Sequence, residues 1–404
     1  MKNVALESSE KYTEIEKALF IINQKKSQCS LWLNLTDIAA IKRRKIMTMT
    51  KKLDDLRKEI NKLDALIVEL INKRGEVSCS IGEIKKKKGQ PIYSPDREHQ
   101  VYDRIALKNK GPLNDDSVKA IYREIMSACL SLELPVKVAY LGPELTFTHQ
   151  ASLKKFGSSV QYLLCDSIPH VFHEVEKGNA DYGVVPIENS TEGAVNHTMD
   201  MFVDSPLVIC SEVYFPIRHS LLCKKTDMKA ISKVYSNPQV FGQCRKWLER
   251  NLASAKLRDS VSTAKGAEMA AKHADAACIA SELAAGKYGL KVVARSIEDS
   301  ATNITRFLVI GREMSKVSGK DKTSVVFSVK DKPGVLHDIL SAFKKNGINL
   351  TKIESRPSKK KLWKYYFFVD IDGHYENSKV KSTLRNIEKK CYFLKILGAY
   401  PKGI

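Results

Sequence analysis

From position 53 the chain sets apolar residues at alternating steps of three and four: Leu53, Leu56, Ile60, Leu63, Ile67 and Leu70. This is a heptad-like seam along one face of a long helix. The same period reaches Arg74, Val77, Ile81 and Ile84 before Gly89-Gln90-Pro91 breaks it. Ser94 and Pro95 then mark a second helix, as N-cap and first helical residue, and Gly111-Pro112 marks its end. A third helix places Val118, Ile121, Tyr122, Ile125, Cys129 and Leu132 on one side, with Glu133 one turn past Cys129. Three helices of such unequal length cannot bury the seam among themselves, so the pattern predicts a dimer.

Arg74 interrupts the apolar stripe. A buried, unpaired guanidinium is costly and requires an anion. Arg57 and Lys85 border the same stripe. Three cations on one face point to a site for a multiply anionic ligand. Pairing with carboxylates of a neighbouring helix, or snorkelling to water, is the plainer reading.

Past Glu133-Leu134-Pro135 the pattern changes to strands alternating with helices: a strand over 136–140, another over 162–164, a helix over 169–177 and a strand over 182–187. This order predicts a mainly parallel sheet. The strand over 182–187 ends abruptly in Glu188-Asn189-Ser190-Thr191, where ligands bind in open α/β sheets, with Gly193 letting backbone come close. An ordinary strand-to-helix connection, capped by Ser190 or Thr191, is the alternative. A second lobe is expected over about 217–293. The chain returns through Asn303-Ile304-Thr305-Arg306-Phe307-Leu308, a strand led by polar residues. Residues 313–322 are polar and lysine-rich and read as a linker. A βαββαβ pattern then fills 323–404, with strands expected over 323–329, 347–353, 363–371 and 392–397.

A length of 404 residues leaves room for roughly two to four domains. No apolar run approaches a membrane span and the N-terminus lacks a signal pattern, which predicts a cytoplasmic protein without membrane partners. The nine cysteines include no Cys-x-x-Cys pair, which argues against a zinc site and a disulfide framework. The formal net charge of +21 fits small anionic substrates as well as nucleic acid, but no nucleic-acid motif accompanies it. Residues 1–46 fit no clear fold beyond a short amphipathic helix over Glu10–Ile22. Met47 and Met49 follow a basic cluster, Lys42-Arg43-Arg44-Lys45, so the extension is either a regulatory arm or an over-long start.

Leu56-Arg57, Ile60, Leu63-Asp64, Arg74, Lys85, Asp96-Arg97-Glu98 and Arg123-Glu124-Ile125-Met126-Ser127-Ala128 resemble the all-helical chorismate mutase family, over residues 47–134. The resemblance implies an intertwined homodimer, or a higher homo-oligomer. It implies substrate contacts from Arg57 (reaching the partner's site), Arg74, Ser94, Arg97, Glu98 and Cys129, with Lys85 and Glu133 at the ether oxygen of chorismate. Ser94 stands where the family often has Asp. That reaction needs no nucleophile and no proton transfer, only a compact substrate conformer and charge stabilisation at the breaking bond.

Gly142-Pro143 with Phe147-Thr148-His149, Val185-Pro186-Ile187-Glu188-Asn189-Ser190 with Gly193, Ser236-Asn237-Pro238-Gln239 with Gln243-Cys244, Ser262-Thr263-Ala264 and Thr305-Arg306-Phe307 resemble the prephenate dehydratase family, over 136–312. Leu145 replaces a frequent glycine. The implied fold is two α/β lobes like a type 2 periplasmic binding protein, with the site between them. Thr305 would assist the departing hydroxide. Asn189, Ser190, Ser236, Gln243, Thr263, Arg306 and Phe307 would bind prephenate, and no metal or organic cofactor is required. Pro333-Gly334-Val335-Leu336 and Glu354-Ser355-Arg356-Pro357 resemble the phenylalanine-binding motifs of the ferredoxin-like ACT domain, with Gly334, Leu336, Glu354, Ser355, Arg356 and Pro357 as effector contacts.

The order of the three regions is that of the bifunctional chorismate mutase/prephenate dehydratases of L-phenylalanine biosynthesis, feedback-inhibited by L-phenylalanine. The expectation is two sites on separate domains with separate cores. A monofunctional dehydratase whose helical domain only binds chorismate, and a non-catalytic amino-acid sensor, are the two rival readings.

Overall fold

The computed structural model describes residues 32–225, 227–330, 332–358 and 365–403, with side chains from Lys52 onward. The helix expected over Glu10–Ile22 lies outside these residues. The chain divides into two compact units, with the boundary between Asn72 and Lys73.

The first unit is, over its described residues, the leading part of α1 (Trp32–Lys87). The seam suggested a start near Leu53, but the helix begins at Trp32, since no glycine or proline occurs before Gly75 to stop it. Leu53, Leu56, Ile60, Leu63, Ile67 and Leu70 are all exposed, Leu70 to 64%.

The second unit continues with α2 (Pro95–Lys108) and α3 (Asp115–Glu133). Pro95 opens α2 after Ser94, yet the Ser94 hydroxyl makes no capping bond. The helix stops at Lys108, short of Gly111-Pro112, with Asn109 N–H donating to Ile105 O. A Cβ on Gly82 would stand 2.9 Å from Glu133 Cβ, and one on Gly75 3.4 Å from Leu132 Cδ1. Two glycines seven residues apart thus let the last turn of α3 lie against α1.

Next come β1 (Lys137–Leu141), α4 (Phe147–Phe156), β2 (Gln161–Cys165), α5 (Ile168–Glu176), β3 (Tyr182–Asn189), β4 (Gly193–Ala194), α6 (Asn196–Asp204) and β5 (Val208–Pro216). The second lobe holds β6 (Ser220–Cys223), β7 (Lys233–Ser236), α7 (Pro238–Gln243), α8 (Arg245–Asn251), β8 (Lys256–Asp259), α9 (Thr263–Ala270), β9 (Ala276–Ala280), α10 (Leu283–Tyr288) and β10 (Lys291–Ala294). The return strand is β11 (Ile304–Gly311). The first sheet runs β2-β1-β3-β11-β5, with β4 beside β3. It is mixed rather than mainly parallel. β1 is parallel to β2 and β3, but β11 re-enters from the second lobe and runs antiparallel to both β3 and β5. The second sheet runs β10-β6-β9-β7-β8. Gly193 has φ +82 in the tight β3–β4 turn and open space at its Cβ position. Its left-handed backbone is one that glycine takes without strain.

The last region is β12 (Asp321–Val329), α11 (Val335–Lys345), β13 (Leu350–Pro357), β14 (Tyr365–Asp372), α12 (Ser378–Glu388) and β15 (Cys391–Pro401), an antiparallel sheet in the order β13-β14-β12-β15. β13 starts later than expected and runs through Arg356-Pro357. One face of this sheet packs on its own helices through Val325, Phe327, Ile339 and Phe343. The other packs on the first lobe, where Val326, Phe368, Leu397 and Tyr400 share one core with Ile209, Leu308 and Ile310. The last region and the first lobe therefore share one core, and the linker over 313–322, though mostly exposed, is anchored in it. Ser315 is buried and donates to Cys210 O at 2.6 Å, while Asp321 and Lys322 are buried strand residues.

A buried ion network crosses this junction. Arg306 Nε donates to Glu212 (2.7 Å), Nη1 to Asp370 (2.6 Å) and Nη2 to the Tyr400 hydroxyl (2.9 Å). Lys322 completes it at 3.0 Å from Glu212, and Ser324 donates to Asp370 at 2.6 Å. Two cations and two carboxylates balance. Arg306→Met leaves two buried carboxylates with one cation, and is expected to destabilise this unit by about 3–5 kcal/mol. Arg306→Lys, a point charge without the fork, restores only part. An unchanged urea midpoint for Arg306→Met refutes this account.

Candidate functional site

Two groups of side chains stand out. The first lines a cavity of about 340 Å³ among the end of α1, α2, α3 and α4. Arg74, Lys85, Ser94, Arg97, Glu98, Cys129 and Glu133 all contribute to its wall. Two polar atoms there are buried without a hydrogen-bond partner: Arg74 Nη1 and Glu133 Oε2. Buried polar atoms are rarely left so, which makes Arg74 Nη1 an open donor at this cavity. The Ser94 hydroxyl, unused as a cap, is available to it as well. Lys85 Nζ donates to Ile92 O and lies 3.6 Å from Glu133. Arg57, in the first unit, pairs with Asp54 one turn away at 3.5 Å.

Burial raises the Glu133 carboxyl above its ordinary value, although Lys85 and Arg74 pull it down. Only the protonated acid can donate a hydrogen bond to an ether oxygen. The donor is present below the raised value and lost as pH climbs through it. Turnover of chorismate is therefore expected to fall along that limb, and Glu133→Gln to flatten it. An unaltered pH–rate profile in Glu133→Gln removes Glu133 from the site.

The second group is built where β3 and β11 pair, Asn189 opposite Thr305 and Glu188 opposite Arg306. Asn189 Nδ2 donates to Thr305 Oγ1 and to Asn303 Oδ1, both at 2.8 Å. Its Oδ1 accepts from Thr191 and Glu192 N–H. Asn189 is thus saturated within the chain and braces Thr305. Because Thr305 Oγ1 accepts from Asn189, its own proton is turned elsewhere and is free to donate. Gln243 Oε1 accepts from Asn303 (3.1 Å) and from His219 Nε2 (2.8 Å), while its Nε2 donates to Glu192 across to the first lobe (3.2 Å). Asn303 and His219, both 1% exposed, carry this chain of bonds between the lobes, and burial lowers the His219 pKa. Neither was assigned a role from sequence. Asn303 lay two residues before Thr305, a usable signal, whereas His219 belongs to no motif.

Several expected substrate contacts are committed elsewhere. Ser236 is fully buried and donates to Ile279 O. Ser190 donates to Thr302 O and accepts from Ile304 N, stapling β3 to β11. Phe307 is 2% exposed in a core cluster with Val138 and Val184, on the same face of β11 as Thr305 and Val309. Arg306 faces the junction described above, on the opposite side of the sheet from Thr305. Thr263 stands in the first turn of α9, half-buried. Leu145 has φ 68°, the conformation that a glycine takes without strain.

In the last region, Gly334 has φ +80 just before α11, and Leu336 packs on the helix-side core rather than standing open. β13 alternates: Ser355 and Pro357 are exposed, while Lys352, Glu354 and Arg356 turn to the other face. There Arg356 donates to Asp200 of α6 at 2.9 Å, and Lys352 lies 2.8 Å from Glu188. Arg356 is therefore tied to the first lobe through Nη2, while its Nε is buried without a hydrogen-bond partner. Among the described residues no helix is long and apolar enough to cross a membrane.

Comparison with known proteins covers nearly the whole of this described chain. Family models match in order: Chorismate mutase type II over residues 56–134, Prephenate dehydratase over 138–315 and ACT domain over 323–389. The bifunctional chorismate mutase/prephenate dehydratase of Aquifex aeolicus is 49% identical over 358 residues, covering 88% of this chain and 99% of that one. The protein of the same name from Stutzerimonas stutzeri is 43% identical, with 89% and 100% covered. A solved prephenate dehydratase from Arthrobacter aurescens, in complex with L-Phe, superposes with a TM-score of 0.61 at 33% identity, covering 66% of this chain and 90% of that one.

Proposed function

The chain belongs to the bifunctional chorismate mutase/prephenate dehydratases of phenylalanine biosynthesis, and on that premise we propose how its parts divide the work. The cavity lined by Arg74 and Glu133 is where chorismate becomes prephenate. The Thr305 group is where prephenate loses carbon dioxide and its ring hydroxyl to give phenylpyruvate. L-Phenylalanine, acting at the last region, restrains the second step.

The observation that carries the first assignment is Arg74 Nη1, buried without a hydrogen-bond partner, in one cavity with the Lys85–Glu133 ion pair. An arginine fork suits a substrate carboxylate, and a protonated carboxyl beside an ammonium suits an ether oxygen taking on charge. Arg57, from a second copy joined along the exposed seam of α1, completes the carboxylate contacts. For the second step the driving force is aromatisation. The enzyme mainly assists hydroxide as a leaving group, which the free proton of Thr305 does. Regulation is supported by two links to the strands of this site. Arg306, next to Thr305, is tied to Asp370, and Glu188, next to Asn189, is tied to Lys352 two residues before Glu354. An effector that prefers one arrangement of the last region biases these strands.

Incubating the protein with chorismate and following phenylpyruvate tests the whole reading. Turnover of prephenate without turnover of chorismate would leave a helical region that only binds. Turnover of neither would leave an amino-acid sensor. Added L-phenylalanine is expected to slow prephenate turnover, and indifference to it defeats the regulatory assignment.

A further inference from the structure

Helix α4 belongs to the first lobe of the dehydratase, and its first turn carries Phe147-Thr148-His149. Its far end enters the mutase cavity. Lys155 and Phe156 line that cavity beside Arg74 and Glu133. Lys155 Nζ lies 2.7 Å from Glu98 Oε2, and the two side chains are only 17% and 11% exposed. The Tyr93 hydroxyl donates to the same oxygen at 2.8 Å. The placement is built, not incidental. Just past α4, Ser158 N and Oγ donate to Glu124 Oε2 of α3 at 2.9 and 2.7 Å, and Ser159 N donates to Ser127 Oγ at 3.0 Å. Phe156 also shares a core with Tyr93 and Leu130 of the helical region.

We infer that Lys155, carried by the dehydratase lobe, is a positioning residue of the mutase site, holding Glu98 for the chorismate hydroxyl; this rests on the assignment of that cavity to chorismate. A carboxylate accepting from both Lys155 and Tyr93 keeps one orientation, and a hydroxyl bound to it is placed accordingly. The helical region by itself therefore lacks one part of its own site. The mutase residue arrives on the helix whose other end carries a dehydratase motif.

The test uses the full chain. Lys155→Met is expected to lower kcat/KM for chorismate by roughly 10- to 100-fold, the worth of a charge-assisted hydrogen bond. Turnover of supplied prephenate stays within about twofold, the margin of ordinary surface substitutions. Lys155→Arg retains most of the mutase activity. If Lys155 works through Glu98, then Lys155→Met adds little in a Glu98→Gln background, whereas a residue acting only on the fold multiplies its full effect there. The proposal is overturned if Lys155→Met leaves chorismate turnover unchanged, if the two substitutions are fully additive, or if both activities fall together. Arg74→Ala, measured in parallel, separates this from failure of the site itself. If Arg74→Ala also spares the mutase, the cavity was misassigned. If only Lys155→Met spares it, the inference alone falls.

Discussion

Arg74→Ala should cost the mutase on the order of a thousandfold in kcat/KM for chorismate, the upper range for a lost donor at a site of developing charge. Arg74 Nη1 is buried at the cavity without a hydrogen-bond partner, which on the proposed assignment leaves it for a substrate carboxylate. Its removal takes away a charge-assisted contact and leaves a substrate carboxylate in a buried space with less positive charge. Arg74→Lys keeps the charge and loses the planar fork, and should recover only part. Turnover of supplied prephenate should stay within a few-fold in both variants. The helical region and the first lobe share a core through Tyr93, Phe156 and Val138, but Arg74 is not in it. Equal loss of both activities in folded protein defeats the two-site reading.

Thr305→Val should lower prephenate turnover on the order of a hundredfold or more, the scale of a lost acid or transition-state donor. Valine matches the shape and removes the proton that Thr305 has to give. It also leaves Asn189 Nδ2 without one of its two acceptors. A buried donor left so costs about 1–3 kcal/mol, so melting is measured beside activity. Thr305→Ser keeps both the donor and the acceptor but loosens the rotamer, and should retain partial activity. Chorismate turnover is expected to be unchanged in both. Turnover of prephenate by Thr305→Val within a few-fold of wild type would move the donor elsewhere. Ser236 is then a poor replacement, because its hydroxyl is buried and spent on Ile279 O, while Thr263 remains open.

The mutase cavity was more legible in the sequence than the dehydratase site. Arg74, Lys85 and Glu133 sit on helices whose period states which face each takes, while Ser94 and Glu98 were placed by resemblance, and all five line one cavity. On strands the period is two, and a single irregularity reverses it. The one in the pairing of β3 with β11 skips Ile187, just before Glu188 and Asn189, while along β11 itself Thr305 and Phe307 share one face and Arg306 takes the other.

What the residues determined alone was the kind and order of elements, three regions along the chain, and the positive, anion-seeking character of the helical cavity. Each follows from local periodicity and side-chain chemistry. What only the tertiary structure decided was the partner of each buried charge. Glu212 and Asp370 lie 94 and 64 residues from Arg306, and Glu98 lies 57 from Lys155. A buried ion has to be paired, yet its own sequence neighbourhood carries no trace of the strand or helix that folding brings against it. The same holds for Arg356, whose Nη2 donates to Asp200, 156 residues away.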